Sequence, residues 1–303
     1  MDRLEQLLRN LRDRCPELEL RTEEPMSRHT TFRIGGPAAL MARPTTEEQV
    51  LESVKLAREN EVPLVVLGNG SNLLVADEGA KVFVVDMTGL NRLERTGERE
   101  ITAGAGVTLA RLASFAAGEG LAGLEFASRI PGTLGGGVLM NAGAYGGEMA
   151  QVVRRTRYLT PEGTVKEAVG EEHDFSYRHS VFSQGDKVIL SSVLELEPCK
   201  AEDIRARMAE LAQKRKTKQP LEYPSAGSMF KRPQGHFAAA LIEQCGLKGF
   251  TVGGAQVSEK HAGFVINRDN ATCADVLSLV KEVQRRVKEQ TGVKLEMEVR
   301  RLG

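Results

Sequence analysis

The chain of 303 residues has no tryptophan and only four cysteines, and it carries no excess of charge: 41 Lys and Arg stand against 41 Asp and Glu. Zero formal net charge argues against a sequence-independent nucleic-acid binder, which needs surplus cations to release phosphate counterions, but it leaves room for a local basic pocket. Cys15, Cys199, Cys245 and Cys273 form no CxxC pair and have no histidine at ligand spacing, which argues against a zinc site or a disulfide framework and for free thiols in a reducing compartment. The five histidines make no HExxH or other metal signature, and no metal is expected. The longest uncharged run, residues 130–147, holds seven glycines, a proline and an asparagine and does not read as a membrane span. The charged, periodic first twenty residues do not read as a signal peptide. A soluble cytoplasmic protein is expected, with neither nucleic acid nor membrane as partner. The missing tryptophan and 27% charged residues are compatible with a thermophilic source without establishing one.

What is present in excess is glycine. There are 31, and seventeen fall between Gly68 and Gly147. Glycine at about a tenth of the chain, against a background of roughly 7%, means that backbone must approach something closely. The length suggests two or three packed units, and 41% hydrophobic residues suffice for a core.

Leu4, Leu7, Leu8 and Leu11 predict a helix ended by Pro16. A short strand is expected over 38–43, a helix capped by Thr46 over 47–59, and buried strands over 62–67 and 82–86, a unit typical of an α/β layer. A strand at 101–107 leads to a helix opened by Thr108. Strands at 155–159, 164–168 and 187–196 read as antiparallel. A polar helix over 201–218 ends in the basic cluster KRKTKQP, an expected boundary. Helices at 237–245 and 274–290 and strands at 264–267 and 294–300 complete a C-terminal α/β region.

Five segments can carry chemistry. Gly68, Asn69, Gly70, Ser71, Asn72, Leu73 and Leu74 follow an apolar strand; such a turn presents backbone N–H groups to a phosphate, or is merely tight. It is neither a Walker loop nor GxGxxG. Ile130–Glu148 contains Gly135, Gly136 and Gly137 in a row, which is unfavourable for a helix interior; among apolar neighbours it reads as backbone against a flat ligand, or as a mobile lid. In Phe175–Ser180, Arg178 suits a two-pronged grip on a carboxylate, or lies as a surface arginine over Tyr177. Ser228 sits in SAGSMFK, which is not GxSxG. Glu296 and Glu298 face one side if 295–299 is a strand. The basic run 214–218 fits a solvated helix end or a diphosphate.

Taken together, HTTFRIGG, LGNGSNLLV, IPGTLGGGVLMNAGAYGGE, FSYRHSVF, KQPLEYPSAGSMFKRP, GGAQVSEKHAGFVIN and LEMEVR resemble, in order and spacing from His29 to Gly303, the UDP-N-acetylenolpyruvoylglucosamine reductase (MurB) family of peptidoglycan precursor synthesis. The compact path from Tyr158 to Leu196 resembles the shorter of its two forms, without a substrate-capping loop. The resemblance implies a vanillyl-alcohol-oxidase-type FAD-binding fold of two α/β lobes, at about 1–90 and 91–200, followed by a C-terminal α/β substrate-binding domain over 201–303. It implies FAD contacts at Arg33, Gly68, Asn69, Gly70, Ser71, Asn72, Leu73, Ile130, Pro131, Gly132, Gly135, Gly136, Asn141, Ala142 and Gly143.

It further implies that NADPH reduces FAD, and that hydride then passes from flavin N5 to C3 of UDP-N-acetylglucosamine enolpyruvate. Arg178 and Glu298 match the residues that polarise the substrate carboxylate, Ser228 the proton donor to C2, and Tyr177, Lys218 and Lys231 substrate contacts. A carboxylic acid donates a hydrogen bond only when protonated, a state favoured by burial or a nearby anion. The alternatives are a flavin oxidase of the same fold and a non-catalytic nucleotide-sugar binding module. No obligate protein partner is expected.

Overall fold

The leucines at helical spacing near the N-terminus form α1 (Arg3–Arg14), with Asp2 accepting from the Leu4 amide at its start. In this computed structural model, which describes residues 2–303, the chain divides into two compact units. The first holds residues up to Thr22, Leu40–Asn69 and Val82–Gln213; the second holds Glu23–Ala39, Gly70–Lys81 and Lys214–Gly303. The expected division at 200/201 differs from this. The boundary lies inside a helix, and two early segments group with the C-terminal one. Pairing explains the grouping: residues 73–75 run parallel to 300–302, and the Asp77 carboxylate accepts from the Cys273 and Ala274 amides.

In the first unit, α2 (Glu47–Glu59) is capped by Thr46 as expected and buries Val50, Val54, Leu56 and Ala57. It packs with most of a four-stranded sheet ordered 19–25, 37–43, 80–86, 64–67, whose last pair is parallel. The strand at 64–67 was expected to be buried. It is the sheet edge, so Val66 is 40% exposed, while Phe83 on its neighbour is fully buried. Thr108 caps α3 (Leu109–Gly118). After the glycine segment comes an antiparallel sheet ordered 165–169, 153–159, 188–195, 100–104, 93–95.

One expectation fails here. Residues Leu134–Leu139, with all three consecutive glycines, form a helix, α4. Packing overrides propensity. A Cβ at Gly135 would lie 3.0 Å from the Ala105 Cβ, and one at Gly137 3.3 Å from Leu109, so glycine lets this turn sit close without pushing those neighbours back. Thr133 caps it, accepting from Gly136 N–H.

Helix α5 (Ala201–Lys218) closes on Arg215, Lys216 and Lys218, where cations meet the negative end of the helix dipole. The second unit is an antiparallel sheet ordered 225–228, 264–267, 255–257, 251–252, with α6 (Ala238–Gln244) and α7 (Cys273–Thr291). Val276, Leu279, Val280, Val283 and Val287 make the buried stripe of α7, and Thr272 with Asp275 forms its capping box. The strand expected at 294–300 is confined to 300–302, with one isolated bridge between Met297 and Phe230.

His173 and His261 are held below the ordinary histidine range, first by burial. As pH falls, the unfolded chain takes up these protons before the folded one. Stability contributed by the neutral rings is complete above the ordinary histidine value and is lost as pH falls from there through the depressed folded values. Thermal midpoints should therefore fall below about pH 6.5, and should fall less in a His261→Gln variant; a flat profile through that window contradicts the assignment.

Candidate functional site

In the second unit, the serine motif lies on an irregular strand. Ser225 pairs with Ile266 and Ser228 with Phe264, so two residues oppose one in a β-bulge. Gly227 sits in the bulge at φ +79°, and a Cβ there would meet nothing within 4 Å, so conformation alone requires glycine. The bulge turns Ser228 relative to the regular alternation and leaves it half-buried. Gly227→Ala should lower stability by about 1 kcal/mol from backbone strain and misdirect Ser228; unchanged stability and turnover contradict this reading of the bulge.

Beside this strand runs the carboxylate segment. Glu298 N–H donates to the Met229 carbonyl and Lys231 N–H to the Glu296 carbonyl, each at 2.9 Å, around the Phe230–Met297 bridge. The backbones of Ser228–Phe230 and Met297–Glu298 are thereby side by side. Glu296 and Glu298 differ in setting: Glu296 is exposed and 3.4 Å from the Lys231 ammonium, whereas Glu298 is half-buried. The turn after Asn69 joins the same cluster. The Asn72 amide donates to the Glu298 carbonyl at 3.2 Å, and the Asn72 carbonyl accepts from Arg300 N–H. Thr31, in the HTTFRIGG motif, donates to the Ser225 carbonyl at 2.8 Å. Thus Ser71, Asn72, Leu73, Ser228 and Glu298 belong to one packed region of this unit. Lys218 is exposed at the end of α5.

Arg33 lies elsewhere in the second unit. It has φ +57° and lines a groove of about 560 Å³ with Ile34, Tyr223, Asn267 and Arg268. Ser228, Lys231 and Glu298 do not line that groove. Thr272, the cap of α7, borders it, and Asp77, also on its lining, already satisfies the first amides of that helix.

In the first unit, the glycine turn and the glycine-rich segment meet. The Asn69 amide donates to the Pro131 carbonyl at 2.6 Å, and a Cβ at Gly68 would lie 2.3 Å from the Thr133 hydroxyl. Gly132 accepts from Leu109 N–H, which ties Ile130, Pro131 and Gly132 to α3. Thr133 escaped sequence reasoning although it sits between Gly132 and Gly135; a threonine three residues before Gly136 was its capping signal. Gly135 faces the protein, but Gly136 is exposed and meets only the Thr133 hydroxyl at 3.7 Å. No protein contact requires that residue to be glycine. Bare, exposed backbone there fits close approach of a flat ligand.

Asn141 is 2% exposed, and its amide group is used inside the protein, donating to the Ser176 carbonyl and accepting from Ala150 N–H. Ala142 and Gly143 follow in a short hairpin with 147–148. Arg178 occupies a tight turn: Ser176 and His179 exchange backbone hydrogen bonds, and Arg178 has φ +56° at the position that favours glycine or asparagine. Its guanidinium carbon lies 5.2 Å from the centroid of the Tyr177 ring, which is itself 57% exposed. Among the described residues, no group of three or more His, Cys, Asp or Glu is gathered for a metal, and no helix is long and apolar enough to cross a membrane.

Comparison with known proteins bears on both units. A family model described as an FAD binding domain matches residues 38–168, and one described as the C-terminal domain of UDP-N-acetylenolpyruvoylglucosamine reductase matches 219–302. The chain is 48% identical to the UDP-N-acetylenolpyruvoylglucosamine reductase of Agathobacter rectalis, over 98% of each protein. It is 47% identical to that of Limosilactobacillus reuteri, over 97% of this chain and 98% of the other. Among solved structures it resembles the UDP-N-acetylenolpyruvylglucosamine reductase of Thermus caldophilus, with a TM-score of 0.80 and 37% identity over 94% of this chain and 99% of that one.

Proposed function

The chain belongs to the UDP-N-acetylenolpyruvoylglucosamine reductase family, and on that premise we propose how its own residues divide the work of an FAD-dependent reduction of UDP-N-acetylglucosamine enolpyruvate to UDP-N-acetylmuramate. The observation that carries the reading is the Ser228–Phe230 segment held against Met297–Glu298, on the part of the chain that matches the reductase C-terminal domain. Bound FAD supplies the carrier that takes hydride from NADPH and gives it to the enol ether.

Addition of hydride at C3 leaves negative charge at C2 that spreads into the substrate carboxylate. Two tasks follow: that charge must be stabilised, and C2 must be protonated. Arg178 presents a planar, permanently charged fork suited to the carboxylate. Glu298 is assigned to the same step, and its backbone is fixed by Asn72 and Met229. Preorganised donors of this kind are typically worth about 3–4 kcal/mol of transition-state stabilisation each. Ser228 gives the proton to C2, and because a serine hydroxyl is a weak acid, it needs neighbours to acidify or resupply it.

In the first unit, Gly68, Asn69, Ile130–Gly132, Gly136 and the hairpin at Ala142–Gly143 hold the flavin nucleotide by backbone approach. Lys218, Lys231 and Tyr177 hold the nucleotide-sugar; Lys231 exchanges its exposed Glu296 partner for the diphosphate, a small loss because exposed ion pairs contribute about 0–1 kcal/mol. The enzyme acts in the cytoplasm on small molecules alone. The test is the visible spectrum of the purified protein. A yellow protein bleached anaerobically by NADPH is expected; a colourless one that cannot be reconstituted with FAD defeats the proposal in favour of a binding module, and oxygen-coupled turnover of an alcohol favours an oxidase.

A further inference from the structure

The proposed chemistry leaves the fully buried His173 of the first unit without a task. His173 has 0% exposure, and both ring nitrogens are engaged. Nδ1 lies 2.9 Å from the Gly170 carbonyl, and Nε2 lies 2.9 Å from the Thr156 hydroxyl, which is 2.9 Å from the Ser192 hydroxyl. A carbonyl only accepts, so Nδ1 carries the hydrogen. Burial keeps the ring neutral, so Nε2 accepts from Thr156, and Thr156 in turn accepts from Ser192. The chain of donors runs one way, from two strands of the sheet into the imidazole and out to Gly170, and fixes both the tautomer and the plane of the ring.

That plane is passed on. The Phe175 ring stacks on the imidazole at 4.9 Å between centroids and 9° between planes. The His173 carbonyl accepts from Val181 N–H at 2.8 Å, closing the base of a loop whose tip is Tyr177–Arg178. Asn141 holds Ser176, and the Ser180 hydroxyl donates to the Leu139 carbonyl. Within this loop two residues that are not glycine, Asp174 and Arg178, stand in the left-handed region. Such conformations persist only where surrounding contacts over-determine them. A leucine would fill the core at position 173 but would fix no ring plane and leave the Gly170 carbonyl and the Thr156 hydroxyl without this partner.

We propose that His173 is a positioning residue for Arg178: through the Phe175 stack and the bond to Val181, it sets the turn that aims the guanidinium. The inference rests on the assignment of Arg178 to the substrate carboxylate. Its test separates the two half-reactions in the FAD-loaded protein. In His173→Leu, anaerobic bleaching by NADPH should keep its rate. Reoxidation of the reduced protein by UDP-N-acetylglucosamine enolpyruvate should slow by roughly 100-fold, the loss expected when a reacting group is misplaced by about 1 Å. In His173→Asn, whose amide can still donate to Gly170 but offers Phe175 no ring, only part of that rate should return. Should the leucine variant not fold, Thr156→Val, which keeps the shape and removes the hydroxyl on Nε2, should show the same one-sided loss. Wild-type reoxidation in these variants, or equal slowing of both half-reactions, overturns the inference. If instead the unmodified protein is not reoxidised by the enolpyruvate substrate, the functional reading fails, and the two failures are distinct.

Discussion

Replacing Ser228 with alanine is expected to leave bleaching of the bound flavin by NADPH unchanged and to slow reoxidation by UDP-N-acetylglucosamine enolpyruvate by roughly 10²- to 10⁴-fold, the range for loss of a positioned general acid. The asymmetry follows from the chemistry. Hydride transfer from NADPH needs no proton at substrate C2, whereas completion of the second half-reaction does. Alanine removes one oxygen from a half-buried site and leaves the bulge at Gly227 and the bridge between Phe230 and Met297 intact, so folding and FAD content should match the parent. A Ser228→Cys variant retains a proton in nearly the same place and should recover part of the rate. Equal loss in both half-reactions would show that Ser228 supports the site rather than the proton transfer.

Gly70→Val is expected to give a colourless protein of lowered stability. From sequence, this glycine marks backbone approach to a cofactor, and valine should weaken FAD retention more than the fold. The structure changes that expectation. Gly70 has φ +56°, and a Cβ there would lie 2.0 Å from the His29 carbonyl and 2.9 Å from the Thr30 Cα. The close approach is to the protein's own HTTFRIGG segment. Valine adds left-handed strain of about 1–3 kcal/mol to an overlap with backbone that cannot swing aside. The thermal midpoint of the apoprotein should therefore fall, and FAD affinity with it. Gly136→Ala makes the contrast: no protein atom excludes a methyl there, so FAD retention should weaken while apoprotein stability holds or rises, as alanine is the better helix former. An apoprotein midpoint for Gly70→Val equal to the parent's, measured by scanning calorimetry, contradicts this account of the turn.

These two glycines show what was legible in the sequence and what was not. Periodicity and capping residues located most helices: Thr46 and Thr108 stand at the caps they predict, and the leucines of α1 lie on one buried face. The antiparallel strands after Gly147 were likewise readable from alternation. The helix at Leu134–Leu139 was not, because its glycines disfavour a helix locally, and the packing of Gly135 against Ala105 and of Gly137 against Leu109 is not visible in the sequence. Nor was the edge position of Leu64–Leu67, since an apolar run does not tell which side its sheet continues on. The expected strand at 294–300 gave way to one bridge and a short parallel pairing with residues 73–75, a partner more than two hundred positions away.

The site divides the same way. Motif order pointed to Arg178, Ser228 and Glu298. What holds them was invisible: the bulge at Gly227, the Asn72 amide on the Glu298 carbonyl, the Thr31 hydroxyl on Ser225, and the buried His173 beneath the Arg178 turn. Each depends on contacts between distant segments. Asn141, expected at the site from its motif, spends its side chain on Ser176 and Ala150 and so ties neighbouring loops together.

The central claim is that hydride passes from NADPH through bound FAD to the enolpyruvyl group. An anaerobic double-mixing experiment tests it most directly: the protein is first reduced with limiting NADPH and then mixed with UDP-N-acetylglucosamine enolpyruvate. The account predicts return of the oxidised-flavin band together with an equimolar amount of UDP-N-acetylmuramate. A flavin that stays reduced until oxygen is admitted, with no product formed, would contradict it.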